Sequence, residues 1–109
     1  MRIWDIEPSL LCRQHLLGEH AELHALWSIL TADKAGYANH PETARWRGKL
    51  MALYIKHEEI VAEMTRRGYV HRSTLPTSEA TGAAVQHEFV DTVEEQKRLL
   101  RAKGCHCHV

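Results

Sequence analysis

Between Leu10 and Leu30 the chain reads LLCRQHLLGEHAELHALWSIL, and on a helix this stretch carries two stripes that leave few ways to fold it. Leu16, Leu23, Trp27 and Leu30 recur at close to heptad spacing, which seats one face on a core. His15, Glu19 and Glu22 fall at i, i+4 and i+7, so an imidazole and two carboxylates share a neighbouring stripe. The polar stripe therefore borders the core instead of facing open water. Glu22 reads either as a structural ion-pair residue or as an acid–base group, because a partly desolvated carboxylate serves both purposes.

The remaining segments extend the helical reading. A short arm, Met1 to Glu7, ends at Pro8, and Ser9 suits the N-cap or first turn of a helix running from about Ser9 to Ala32. Gly18 lies inside that helix, where it costs about 1 kcal/mol against Ala, and signals either a close approach by backbone or ligand or a mild kink. Asp33, Gly36, Asn39 and Pro41 break the pattern. A second helix is expected from near Pro41 to its stop at Gly68, on the three- and four-residue steps of Trp46, Leu50, Leu53, Ile60 and Met64. Its opposite face carries Arg45, Lys49, Lys56 and Glu63, which reads as a solvated face, with Arg66 and Arg67 at the negative helix end. Residues 69–82 look like loop. A third helix should start between Ala83 and Thr92 and end at Gly104, carrying Val85, Phe89, Val93, Leu99 and Leu100.

The fold expected is all-α: a compact single-domain bundle of three main helices with an extended N-terminal arm. Residues 1–104 form the domain and 105–109 a Cys/His tail. At 109 residues the chain can bury a core without disulfides, and its three Cys form no disulfide framework. No signal peptide or membrane-length apolar run is present, so a soluble, cytoplasmic setting is expected. Acidic and basic side chains balance at 14 each, which gives no argument for a polyanionic partner from net charge. The basic excess is confined to residues 41–75. Nine His make the protein cationic below about pH 6.5.

Three constellations could carry chemistry. The tail Cys105-His106-Cys107-His108 offers four metal donors in a row, either incidental on a frayed end or a metal or redox element, but adjacent residues wrap one tetrahedral ion poorly. His20 and His24, one turn apart, can share an ion or simply meet solvent and partner groups. Cys12 and His15, also one turn apart, could lower a thiol pKa, although a buried Cys is the commoner outcome.

RQHLLGEHAELHALWSIL resembles the first helix of the pyrimidine dimer DNA glycosylases of the phage endonuclease V type, whose pattern runs QHL-x-x-E-x-x-E-L at this distance from the N-terminus. GKLMALYIKHEEIVAEMTRRGY resembles the second helix of the same family, including its closing R-G-aromatic. The resemblance implies a compact three-helix domain whose arm brings the chain's own α-amine to the active site. There the amine attacks deoxyribose C1′, releases the base and forms an imine, and a glutamate on the first helix assists β-elimination. An α-amine suits this work, since its unperturbed pKa of about 7.7–8.0 leaves more of it neutral than a lysine near 10.4.

Transferred to this chain, the resemblance assigns the nucleophile to the Met1 α-amine and the catalytic carboxylate to Glu22, with His15, Arg2 and Gln14 in support. Met1 is expected to be retained because Arg2 is bulky. That departs from the family, whose amine belongs to a small residue exposed by methionine removal. A second departure is that two phosphate-gripping arginines correspond to Ala21 and Ala25. DNA binding is therefore expected to be weak and salt-sensitive, with Arg13, His20, His24, Arg45, Arg47 and Lys49 as remaining contacts. This chemistry calls for no metal and no cofactor. The alternative is a metal-binding protein on the same fold, drawing ligands from His15, Glu19, His20, Glu22 and His24, with His40, His57 or the Cys/His tail.

Overall fold

A computed structural model of the protein describes residues 2–32 and 39–109. Met1 and the expected breakers Asp33 and Gly36 lie outside the described residues. Four α-helices follow a one-turn 3₁₀ segment at Pro8–Leu10: α1 (Arg13–Thr31), α2 (Pro41–Ala44), α3 (Leu50–Arg66) and α4 (Val93–Ala102). No described residue belongs to a β-strand, so the chain is all-α, with α1, α3 and α4 as its three main helices. No described helix is long and apolar enough to cross a membrane.

α1 and α3 pack along each other through Leu16, Leu23, Leu26 and Trp27 on one side and Leu53, Ile60 and Met64 on the other, with Leu100 of α4 closing the core. Each fully buried Leu or Ile contributes roughly 1.5–3 kcal/mol relative to exposure. His57 lies between Leu53 and Ile60 in the same register and is buried with them. It is a core position that happens to be imidazole.

The arm supplies Ile3, Trp4 and Ile6 to this core, all buried. Extended backbone inserted among helices has no neighbouring strand, so its polar groups need other partners. Side chains from all four helices and the turn after α2 provide them. Trp4 N–H donates to Glu19 Oε1 of α1 at 3.0 Å, Ile3 N–H to Glu42 Oε1 of α2 at 3.2 Å and Asp5 N–H to Gln96 Oε1 of α4 at 2.8 Å. Lys56 Nζ of α3 donates to the Ile6 carbonyl at 3.1 Å, and Arg45 to the Ile3 carbonyl at 2.9 Å. This sheath overturns the solvated-face reading of the second helix. Arg45 and Lys56 turn inward because the arm presents carbonyls that they satisfy, and Glu63 is buried as the partner of Arg66 and Arg67. Arg67 leaves the helix end too, donating to the Pro8, Ser9 and Leu11 carbonyls while paired with Glu63.

Three element boundaries also differ from expectation. α1 starts at Arg13, not Ser9, because carbonyls that would begin the helix are occupied by Arg67 and, at Leu10, by His108 N–H at 2.7 Å. The second helix is interrupted between Ala44 and Leu50. There Gly48 takes φ +73° and residues 81–83 dock: Met51 N–H and Ala52 N–H, orphans of the new helix start, donate to the Thr81 and Ala83 carbonyls. Gly82, at φ +84°, is required at this crossing, since a Cβ would stand 2.1 Å from the Gly48 carbonyl oxygen. α4 begins only at Val93, after its N-cap Thr92, whose hydroxyl accepts Glu95 N–H, and leaves Val85 and Phe89 outside it and exposed.

Candidate active site

Where the arm leaves the sheath, an open pocket of about 320 Å³ is lined by Arg2, Trp4, Gln14, His15, Gly18, Glu19 and Glu22. The helix spacing that put His15, Glu19 and Glu22 on one stripe thus delivers all three to one cavity, and the arm adds Arg2 and Trp4 as its other wall. No described backbone closes on Gly18: a Cβ there would find nothing described within 4 Å. It keeps the pocket floor bare.

The two glutamates differ sharply. Glu19 is 2 % exposed; Oε1 accepts Trp4 N–H and stands 3.9 Å from Lys56 Nζ, while Oε2 is buried with no hydrogen-bond partner among the described residues. Burial pushes its carboxyl up to about 8, against the opposing pull of the Lys56 ammonium and the Trp4 N–H. Glu22 is half-buried at the pocket and has no hydrogen bond or ion pair with a described residue. Glu19 therefore holds the arm and Glu22 faces the space. Arg2 is set by a 2.9 Å ion pair to Asp91 and lies over the Trp4 ring, 5.0 Å from its centroid.

His15 lines both this pocket and a larger groove of about 970 Å³ on the far side. Its Nδ1 is 3.2 Å from Cys12 Sγ and 3.5 Å from Cys107 Sγ, and its ring meets Trp4 edge-on. Burial disfavours the Cys12 thiolate, but hydrogen bonds from His15 and Cys107 outweigh it and bring that thiol down to about 6; burial pushes Cys107 up. The groove is walled by Arg13, Gln14, Arg66, Arg67 and Lys103 together with Cys105, His106 and His108 of the tail. The tail is docked, not frayed, because Gly104 at φ +67° turns it back and Cys12 N–H donates to Cys107 Sγ at 3.0 Å.

The other residues suggested as DNA contacts are dispersed. Arg45 is buried against Glu42, Asp5 and the Glu88 carbonyl, and Lys49 pairs with Gln86 and Glu88. Arg47 and Arg13 are exposed, Arg13 above the Tyr69 ring. His20 and His24 turn away from the pocket toward His57 and His71. His24 and His57 approach at 3.1 Å and His20 and His71 at 3.0 Å, all through Nε2. Burial and the neighbouring imidazoles lower His20 to about 4 and also lower His24. His40 caps α2, its Nδ1 accepting Glu42 N–H at 3.1 Å.

Two donor sets therefore converge that could hold metal: Cys12, His15, Cys105 and Cys107, and His20, His24, His57 and His71. His71, a loop residue with no periodic signal, does not stand out in the sequence. Nor do Glu42 and Gln96, whose polar types at helix positions are compatible with plain solvent exposure. Only their contacts with the arm reveal them.

No curated protein and no solved structure matches the chain. The family model for pyrimidine dimer DNA glycosylase does, over residues 1–77, a span that holds the arm, α1, α2, α3 and every residue lining the pocket. By that match, and on the helical fold that positions the pocket, the chain belongs to the pyrimidine dimer DNA glycosylase family, enzymes of DNA repair whose substrate is DNA.

Proposed function

We propose that this protein is a DNA glycosylase with coupled abasic-site lyase activity, acting through the α-amine of Met1 and the carboxylate of Glu22. The observation that carries the reading is the shared pocket: Arg2, one peptide unit from the proposed nucleophile, lines the same cavity as Gln14, His15 and Glu22. A nucleophile and an acid–base group must come within hydrogen-bond reach of one reacting centre, and the arm is anchored so that Arg2 and Trp4 border that cavity.

In the proposed sequence the neutral amine attacks C1′ of a damaged nucleotide. The C1′–N bond to the base breaks, and the base departs with the electron pair and takes up the proton the attacking amine releases. The amine lone pair then expels O4′, so that the C1′–O4′ bond breaks, O4′ takes up a proton from solvent, and the ring-opened sugar is left as a protonated imine. Glu22 stabilises the cationic imine and accepts the C2′ proton, after which the C3′–O bond breaks and the strand is nicked. Arg2 holds a phosphate or sugar oxygen beside the amine, and Gln14 and His15 orient the sugar. Glu19 serves at one remove. Its Oε1 fixes the Trp4 amide and hence the arm's exit angle.

Borohydride trapping on DNA containing an abasic site tests the mechanism. A covalent protein–DNA adduct that disappears when the α-amine is blocked is expected. Absence of any adduct, or an adduct indifferent to blocking, removes the imine mechanism.

A further inference from the structure

We propose that the chain carries two metal sites: a zinc site made by Cys12, His15, Cys105 and Cys107, which clamps the tail to the start of α1, and an all-imidazole site made by His20, His24, His57 and His71. Neither is called for by the proposed glycosylase chemistry, and each rests on its own set of contacts.

The first site answers the objection that the tail's donors are too close in sequence to enclose an ion. The missing half comes from the other end of the chain. Cys12 is the N-cap of α1 and His15 stands one turn on, so Cys-x-x-His presents two donors from a rigid first turn. Gly104 reverses the chain after α4, and Cys105-x-Cys107 brings two more. One donor atom from each residue lies within 4.8 Å of the other three. Tetrahedral zinc, with Zn–S of about 2.3 Å and Zn–N of about 2.0–2.1 Å, needs S···N edges of about 3.6 Å. The Cys12 and Cys107 sulfurs stand 3.2 and 3.5 Å from His15 Nδ1, close to that edge, and the remaining donor pairs lie within 4.8 Å, so loading draws the set inward by no more than about 1 Å. The surroundings suit the charge. Three thiolates and an imidazole around Zn²⁺ carry one net negative charge, and Arg13, Arg66, Arg67 and Lys103 wall the groove. Cys12 N–H already donates to Cys107 Sγ, the backbone contact a ligating thiolate accepts.

The second site joins α1, α3 and the loop that follows α3. Four imidazole nitrogens again fall within 4.8 Å of one another, and the two closest pairs, at 3.0 and 3.1 Å, sit near the edge of about 3.3 Å that a tetrahedral ion with 2.0–2.1 Å bonds needs. Ligating histidines are usually oriented by a hydrogen bond on the opposite ring nitrogen. His57 has that bond, Nδ1 to Glu58 Oε1 at 3.1 Å. A closed set of four imidazoles suits Zn²⁺ or a neighbouring divalent first-row ion better than Mg²⁺ or Ca²⁺, which prefer oxygen. Each site ties an irregular segment to α1, so the role is structural.

The test is elemental analysis of the full chain purified without a histidine tag, followed by replacement of the bound metal with Co²⁺. Two equivalents of metal are expected, with a thiolate-to-cobalt charge-transfer band from the first site. Cys105→Ser should lose one equivalent and that band, and His71→Ala should lose the other equivalent and keep the band. Retention of helical circular dichroism separates ligand loss from unfolding. If Cys105→Ser does not fold, Cys105→His should fold, retain two equivalents and shift the charge-transfer band. Full metal content in Cys105→Ser, or a band unmoved in Cys105→His, overturns the tail site, and full content in His71→Ala overturns the histidine site. Protein that holds no metal and takes up none from micromolar Zn²⁺ overturns both. These readouts are independent of imine trapping, so either proposal can fail alone.

Discussion

Glu19 and Glu22 are one helical turn apart on α1, yet they belong to two different regions of the molecule. Glu19 is part of the sheath that grips the arm, with Glu42, Arg45, Lys56 and Gln96, where every side chain has an intramolecular partner. Glu22 belongs to the pocket mouth, where it pairs with no described residue. The lesson is that a polar residue on a half-buried stripe has two possible uses, holding backbone or meeting substrate. Partner satisfaction tells them apart. If the division is right, damage to the sheath lowers stability, whereas damage to the mouth lowers chemistry and leaves the fold intact.

The largest effect should come from the mouth. Glu22→Gln keeps size and polarity but removes the charge that would stabilise an imine, so strand nicking at abasic sites should fall by about 10²–10⁴-fold. Unfolding in urea should shift by less than about 1 kcal/mol. A Glu22→Gln protein that nicks normally, or one destabilised by several kcal/mol, would move Glu22 into the sheath.

In the sheath, Glu42→Ala should be the most damaging change. Its Oε1 accepts from Ile3 N–H, the Arg45 guanidinium and Trp46 Nε1, and its removal leaves Arg45 buried and short of a counter-charge. A loss of about 3–5 kcal/mol is expected, a large part of the stability of a domain of this size. Gln96→Ala, which strands the Asp5 N–H, should cost about 1–3 kcal/mol. Thermal or urea unfolding reads both, and near-native stability in Glu42→Ala would show that the arm is held by its apolar residues alone.

Glu63 extends the sheath to the Pro8–Leu10 turn, and its effect depends on pH. Hydrogen bonds from Arg66 and Arg67 hold its carboxyl down at about 2, below the ordinary 4.5. A carboxyl depressed in the folded state contributes its full stabilisation above pH 4.5 and loses it as the pH falls through 2. Glu63→Gln should therefore be less stable than the parent by about 1–2 kcal/mol at pH 7, and the gap should close near pH 2. A gap that persists at pH 2 would mean that packing, not charge, sets the contribution.

The division between sheath and mouth also explains what could be read from the chain alone. The helices were legible because Leu16, Leu23, Leu53 and Ile60 repeat at helical steps, and the pocket stripe because His15, Glu19 and Glu22 share a helix face. The sheath was not, because its contacts join residues 15 to 91 positions apart, as in Trp4 with Glu19 and Asp5 with Gln96. No local pattern marks Arg45 or Lys56 as buried; on helix periodicity they belong to the solvated face. The break after Ala44 was hidden for a similar reason, since the docking segment around Gly82 lies more than 30 positions away. His57 was the exception in reverse: its register with Leu53 and Ile60 marked a core position, and only its residue type argued otherwise.

The smallest expected change concerns a contact the mouth lacks. Ala21 and Ala25 are exposed on α1 near Glu22, at positions where the family resemblance puts phosphate-gripping arginines. Replacing each with Arg should leave stability within about 0.5 kcal/mol, because neither side chain is buried. Binding to duplex DNA should tighten, and the slope of log affinity against log salt should steepen by about 0.9 for each phosphate neutralised. Titrations of an abasic duplex at several salt concentrations measure this directly. A steeper slope for Ala21→Arg would show that DNA lies along this face of α1, beside the pocket. An unchanged slope would direct the strand to the opposite groove, where Arg13, Arg66 and Lys103 already stand and where His15 is reached from its Cys12 side.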